Sequence, residues 1–119
     1  MRVLVVDDNR DATVILSRLL QIAGHEPRVA TNGEQALQAA VEFLPEAVLL
    51  DVGLPKMDGY AVAKGLRDIP ALQGVRIGLV SGFEADAMRQ FECGIDFHLR
   101  KPADLDDILM AIGASDIAG

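Results

Sequence analysis

The sequence predicts an α/β three-layer sandwich, a five-stranded parallel sheet in the order 2-1-3-4-5 with five helices shared between its two faces. Three observations lead there. Five short apolar runs alternate strictly with five stretches of helical period, which calls for parallel strands joined by right-handed crossovers. Three of the runs are apolar on both faces, as interior parallel strands must be. The other two carry polar residues, and one of them a proline, so they belong at the edges.

The first run, residues 3–6, leads into a helix with Ala12, Ile15, Leu16, Leu19, Ile22 and Ala23 on one face and Gly24 at its end. The second run, 26–30, holds Glu26, Pro27 and Arg28. Proline has no N–H to give a central ladder, so this strand is an edge. Asn32 opens the second helix, which sets Ala36, Leu37, Ala40, Val41 and Leu44 inward and closes before Pro45. Residues 47–50 form the third strand. Val62, Leu66 and Ile69 mark the third helix, stopped by Pro70, and residues 75–80 form the fourth strand. A fourth helix over 84–93 turns Ala87, Met88 and Phe91 inward. The fifth run, 95–99, alternates Ile95, Phe97 and Leu99 against Asp96, His98 and Arg100, which makes it the second edge. Leu105, Ile108, Leu109 and Ile112 complete a fifth helix, with Asp104 as its N-cap. With edges 2 and 5, right-handed crossovers lead to the flavodoxin-like order 2-1-3-4-5.

Composition narrows the function classes. The 119 residues fit one domain, spanning 1–119, and half of them are hydrophobic with no Trp, so the core is aliphatic. A single cysteine, Cys93, excludes an internal disulfide and suits a reducing compartment. A net charge of −7 argues against direct nucleic-acid binding, which needs a basic surface. No apolar run approaches the roughly 18 residues that span a bilayer, and the first one meets two acids too soon for a signal peptide. The expectation is a cytoplasmic protein with no membrane insertion.

In doubly wound sheets, ligands bind beyond the carboxyl ends of the strands. Strand one ends in Asp7-Asp8, strand three in Asp51, strand four in Ser81 and strand five in Lys101-Pro102. Three carboxylates, a hydroxyl and an ammonium therefore converge on one rim from positions 7 to 101. Two carboxylates about 4 Å apart repel by roughly 4 kcal/mol at an effective dielectric near 20. Three together would push a pKa upward or recruit a cation, and an all-oxygen donor set suits Mg²⁺, which keeps several waters and leaves room for a phosphate oxygen. Lys101 and Ser81 would serve the remaining phosphoryl oxygens. No GxxxxGK loop occurs, so nucleotide binding has no support.

The segments Val5-Val6-Asp7-Asp8-Asn9, Leu49-Leu50-Asp51-Val52-Gly53-Leu54-Pro55-Lys56-Met57-Asp58-Gly59, Val80-Ser81-Gly82 and Leu99-Arg100-Lys101-Pro102 resemble the four signature regions of response-regulator receiver domains. The resemblance spans essentially the whole chain. It implies that Asp51 accepts a phosphoryl group from the phosphohistidine of a sensor histidine kinase or a histidine phosphotransfer protein. It implies Mg²⁺ held by Asp8, Asp51 and the main-chain carbonyl of Gly53, with Asp7 acting through water. Ser81 would bond the arriving phosphoryl group, Lys101 would pair with it, and the peptide before Pro102 would be cis. The resemblance also implies a switch that alters a surface read by a downstream effector. Chemistry would be limited to self-phosphorylation and slow self-dephosphorylation, Gly53 and Phe83 leaving nothing to orient a hydrolytic water. Residues 94–102 are similar to receivers appended to hybrid sensor histidine kinases, which implies a domain of a larger chain.

Other readings stand beside these. Asp7-Asp8 could cap the first helix, Asp51 could form a turn, and Lys101 could be a solvated surface lysine. An Mg²⁺-dependent phosphohydrolase with an aspartyl nucleophile is the rival function, although Gly53 stands where such enzymes want a second acid. A non-phosphorylated interaction module is a third reading, against which the intact acid, serine and lysine set counts. His98 departs from the family pattern, which places Tyr or Phe three residues before the lysine. It is either the rotating switch group or an ordinary edge-strand histidine.

Overall fold

The computed structural model describes residues 1–51, 59–81, 87–101 and 103–117. Five strands, β1 (Arg2–Val6), β2 (Glu26–Ala30), β3 (Ala47–Leu50), β4 (Arg76–Ser81) and β5 (Phe97–Arg100), form one sheet in the order β2-β1-β3-β4-β5. All four pairings are parallel. Helices α1 (Arg10–Ile22), α2 (Gly33–Phe43), α3 (Gly59–Arg67), α4 (Ala87–Glu92) and α5 (Leu105–Ile117) connect or follow the strands, with a 3-10 turn at Pro70–Leu72. The expected fold class and strand order are the observed ones.

Alternation along the interior strands divides the core in two. Leu4, Val6, Val48, Leu50, Ile77 and Leu79 meet α2 and α3 through Ala36, Ala40, Val62, Ala63 and Leu66. Val3, Val5, Ala47 and Leu49 meet α1 and α5 through Leu20, Ile108 and Ile112. β1 and β3 lie between helices on both sides, which is why almost every residue in them is apolar and buried. β2 and β5 are the more exposed edges, as the proline and the polar alternation required.

The helix boundaries follow their caps. The Asn32 side chain accepts the Gln35 N–H at 2.9 Å and opens α2, and Asp104 accepts the Asp107 N–H at 3.0 Å ahead of α5. Gly24, at φ +92°, ends α1 in the left-handed conformation that glycine adopts without steric penalty. α2 closes on Leu44 at φ 51°, a conformation disfavoured for leucine and reached just before Pro45.

Helix facing departs from expectation on three helices, α1, α4 and α2. On α1 the buried residues are Thr13 and Leu20, whereas Ile15 and Ile22 are exposed, Ile22 by 77%. Thr13 and Leu20 lie seven residues apart, about two turns, so they share a face, and residues two positions further on sit about 200° around the helix. The many aliphatic residues of α1 allow more than one apolar arc, and contact with the sheet selects this one. On α4, Met88 and Phe91 are exposed by 74% and 86% rather than inward. What α4 lays against α3 is Arg89, whose guanidinium lies 4.2 Å from the Tyr60 ring centroid. Val41 and Leu44 are likewise exposed, leaving Ala36 and Ala40 as the buried face of α2. Ile95 precedes β5 and packs in the α2/α3 cluster, opposite the face that Phe97 takes.

At the amino end of the sheet, Arg67 of α3 ties the segment before β4 to the segment before β5. It donates to the carbonyls of Gly94 (2.9 Å), Gln73 (3.2 Å) and Val75 (2.8 Å) and pairs with Asp96 at 2.8 Å. The same Asp96 carboxylate accepts the Ile77 N–H at 2.7 Å. Across β4 and β5, the Phe97 ring lies directly on Gly78, where a Cβ would come within 2.0 Å of it.

Candidate functional site

The site stands at the carboxyl edge, and strand alternation aims its side chains. One step beyond the strand residues that face α1 and α5, the count reaches Asp7 after Val5, Asp51 after Leu49 and Lys101 after Leu99. Ser81 belongs to the opposite series, after Ile77 and Leu79. The ladder itself carries these residues: Asp7 N–H donates to the Ala30 carbonyl (3.1 Å), Asp51 N–H to Val6 (2.9 Å) and Lys101 N–H to Ser81 (2.7 Å). Their backbones are therefore as fixed as the sheet.

The carboxylates of Asp7, Asp8 and Asp51 each bring an oxygen within 4.8 Å of the other two, the one such acid group among the described residues. Lys101 Nζ reaches Asp7 Oδ2 at 3.3 Å and Asp51 Oδ2 at 3.6 Å, so one ammonium bridges the ends of β1 and β3. The Asp7 and Asp51 side chains are largely buried, and that of Lys101 is 40% exposed. Asp7 Oδ1 also accepts the Asn9 N–H at 3.0 Å. The cap of α1 is Asn9, whose Oδ1 accepts the Ala12 N–H at 3.1 Å, so the acids ahead of it are released from the capping duty the sequence allowed them. Three carboxylates against one ammonium leave two negative charges in excess, an arrangement suited to a divalent cation.

Ser81 is almost fully buried at the end of β4, paired in register with Arg100. Gly53, Phe83 and Pro102 lie outside the described residues. His98 sits opposite Leu79 in the ladder, on the face away from Phe97 and Leu99. Burial, and secondly the charge of Arg100, hold its imidazole below the usual histidine pKa. Sequence reasoning did not foresee the apolar cavity of about 490 Å³ that opens beneath the rim between α1 and α5. Asp7, Asp51 and Lys101 line its mouth. The small residues Ala12 and Ala103, facing it from either side, are the trace of it in the sequence.

Sheet order and rim together define an α/β protein of the two-component signalling class. The chain belongs to the response regulator receiver domain family, whose model matches residues 3–113. It is 32% identical over 119 residues to the DNA-binding dual master transcriptional regulator RpaA of Synechocystis sp., covering 95% of this chain and 48% of that protein. It is 34% identical over 113 residues to the transcriptional regulatory protein PrrA of Mycobacterium tuberculosis, with the same coverage. The chain thus spans about half the length of these relatives. Among solved structures it resembles a Burkholderia pseudomallei response regulator containing a phosphorylated aspartic acid, a calcium ion and citrate. That match has TM-score 0.86 and 30% identity, over 98% of this chain and 70% of that one. It also resembles the Vibrio cholerae chemotaxis protein CheY4, with TM-score 0.90 and 25% identity, over 95% and 96%. The family is that of phosphoryl-accepting signalling switches, and membership in it decides against the phosphohydrolase reading. No helix among the described residues is long and apolar enough to cross a membrane.

Proposed function

We propose that Asp51 is the phosphoryl acceptor of this receiver domain, served by a divalent cation on Asp7, Asp8 and Asp51 and by Ser81 and Lys101. The observation that carries the reading is the meeting of three carboxylates and Lys101 at one strand edge. The donor set fits Mg²⁺, since all three side chains offer hard oxygen. By the family resemblance, Asp7 would hold the ion through a water. Gly53 would add its main-chain carbonyl. When bound, the cation offsets the excess negative charge that otherwise repels a phosphoryl group.

An Asp51 carboxylate oxygen attacks phosphorus as the bond to the donor nitrogen breaks, and the departing imidazole leaves with the bonding pair and takes up a proton. Lys101, already 3.6 Å from Asp51 Oδ2, shifts its ammonium onto a phosphoryl oxygen, and the Ser81 hydroxyl donates to another. The donor is a histidine kinase or histidine phosphotransfer protein, the reader a downstream effector, and the setting the cytoplasm. Chemistry on the domain is confined to its own phosphorylation and slow dephosphorylation.

Incubation with a small acyl phosphate and Mg²⁺ should add one phosphoryl group by intact mass, and Asp51→Asn should remain unlabelled. An Asp51→Asn protein labelled as fully as the parent would falsify the assignment.

A further inference from the structure

The aliphatic body of the cavity between α1 and α5 has no role in the proposed phosphoryl transfer, yet Asp7, Asp51 and Lys101 of the acid rim line it. Its walls are aliphatic, with Leu16 and Leu19 from α1, Leu49 and Val80 from the sheet, and Leu105 and Ile108 from the α5 side. Its charged lining consists of Asp7, Asp51 and Lys101. A volume near 490 Å³ lies within the range of small-molecule sites, about 300–1,000 Å³.

We propose that this cavity binds a small amphipathic amine, with its apolar body between α1 and α5 and its protonated nitrogen on Asp7 and Asp51. Head-group charge follows from the mouth. The two lining carboxylates, with Asp8 close by, outnumber Lys101, so an anionic head would meet net repulsion and an ammonium already engaged by Asp7 and Asp51. A neutral head could donate a hydrogen bond to the largely buried Asp7 and Asp51 oxygens but would leave their charge uncompensated. A cationic head offsets their charge, while Lys101, 40% exposed, can turn its ammonium to solvent. The apolar walls supply the binding energy and the acids the orientation, as in most small-molecule pockets. An amine seated there occupies the carboxylates assigned to the cation, so it holds the switch unphosphorylated; this consequence rests on the proposed metal role.

Phenylbutylamine, phenylbutanol and phenylbutyrate share one apolar body and differ in head group. Titrated into the domain by calorimetry, the amine should bind at least about tenfold tighter than the carboxylate, with the alcohol between them. Saturating Mg²⁺ should raise the apparent Kd of the amine several-fold, as roughly expected for two cations sharing carboxylates. Filling the cavity with Leu16→Trp should lower amine affinity by about tenfold or more while leaving Mg²⁺ affinity and phosphoryl labelling at parental levels. Leu105→Trp provides the same test from α5 should the first variant fail to fold. Equal binding of the amine and carboxylate, or parental amine affinity in both filled variants, would overturn the site. If the amine binds as expected but Mg²⁺ does not compete, the binding site stands and the inhibitory consequence is refuted. Labelling of Asp51→Asn bears only on the acceptor assignment and is read separately.

Discussion

Replacing Lys101 with methionine should tighten Mg²⁺ binding and at the same time slow phosphorylation. The Lys101 ammonium sits 3.3 Å from Asp7 Oδ2 and 3.6 Å from Asp51 Oδ2, where it competes with a cation for the same oxygens. Contacts of this length are worth about 1 kcal/mol each at the dielectric of water and about 4–5 kcal/mol near a dielectric of 20. With the lysine side chain 40% exposed, the water-like limit applies, giving about 2 kcal/mol for the two contacts. Recovered hydration offsets part of this as the lysine swings away, leaving a net penalty on metal binding of about 1 kcal/mol, roughly fivefold in affinity. The phosphoryl group, by contrast, loses a charge-assisted partner worth about 1.5–3 kcal/mol, or roughly tenfold to more than a hundredfold in labelling rate. Calorimetric Mg²⁺ titration and labelling at saturating Mg²⁺ separate the two effects, and methionine preserves the aliphatic stem. Unchanged or weaker Mg²⁺ binding in Lys101→Met would refute the competition. Parental labelling at saturating metal would refute the role of lysine toward the phosphoryl group.

Three further outcomes follow from contacts away from the rim. Arg67→Met removes three carbonyl bonds and the Asp96 pair, two of these four contacts being exposed, and should cost about 2–4 kcal/mol in urea unfolding. A loss below about 1 kcal/mol would mean that water replaces the arginine freely. Gly78→Ala places a methyl group into the Phe97 ring and should cost about 1–3 kcal/mol. The cost should vanish in a Phe97→Ala background, and its persistence there would assign it to the backbone. His98 has its folded-state pKa lowered by burial and then by Arg100, so as pH falls the unfolded chain takes up the proton first. Its contribution to stability is therefore present above about 6.5 and lost as pH drops through the lower folded value. The parent should lose more stability than His98→Gln between about pH 7.5 and about pH 5.5, and equal losses would contradict this sign.

Strand order was legible in the sequence because edge strands declare themselves chemically. Pro27 cannot sit in a central ladder, and His98 and Arg100 cannot fill a two-sided core. The rim was legible for the same reason, since the residue after each buried strand is forced to the carboxyl edge. Helix facing was less so. The α1 sequence offers apolar residues over most of its circumference, and only the burial of Thr13 and Leu20 separates Leu16 from Ile15. On α4 a cation replaced the expected hydrophobes, because Arg89 over Tyr60 depends on where α3 lies, which no local period encodes. The Lys101 bridge and the Arg67 hub join residues far apart in sequence and have no pattern before folding. The cavity escaped for a related reason: a void records side chains that fall short of one another, whereas periodicity records only those that point the same way.

Because β1, β3, β4 and β5 each supply part of the rim, the rim exists only while the sheet is assembled. An unfolded chain cannot gather Asp7, Asp51 and Lys101, so whatever the rim holds is held by the native state alone. A ligand present at about a hundred times its dissociation constant then adds about 2.7 kcal/mol to the unfolding free energy. Against a total of about 5–15 kcal/mol for a small domain, that is a large share. Occupancy of the rim therefore also sets how often the chain opens to a protease, so what the rim holds and how long the polypeptide survives are two readings of one equilibrium.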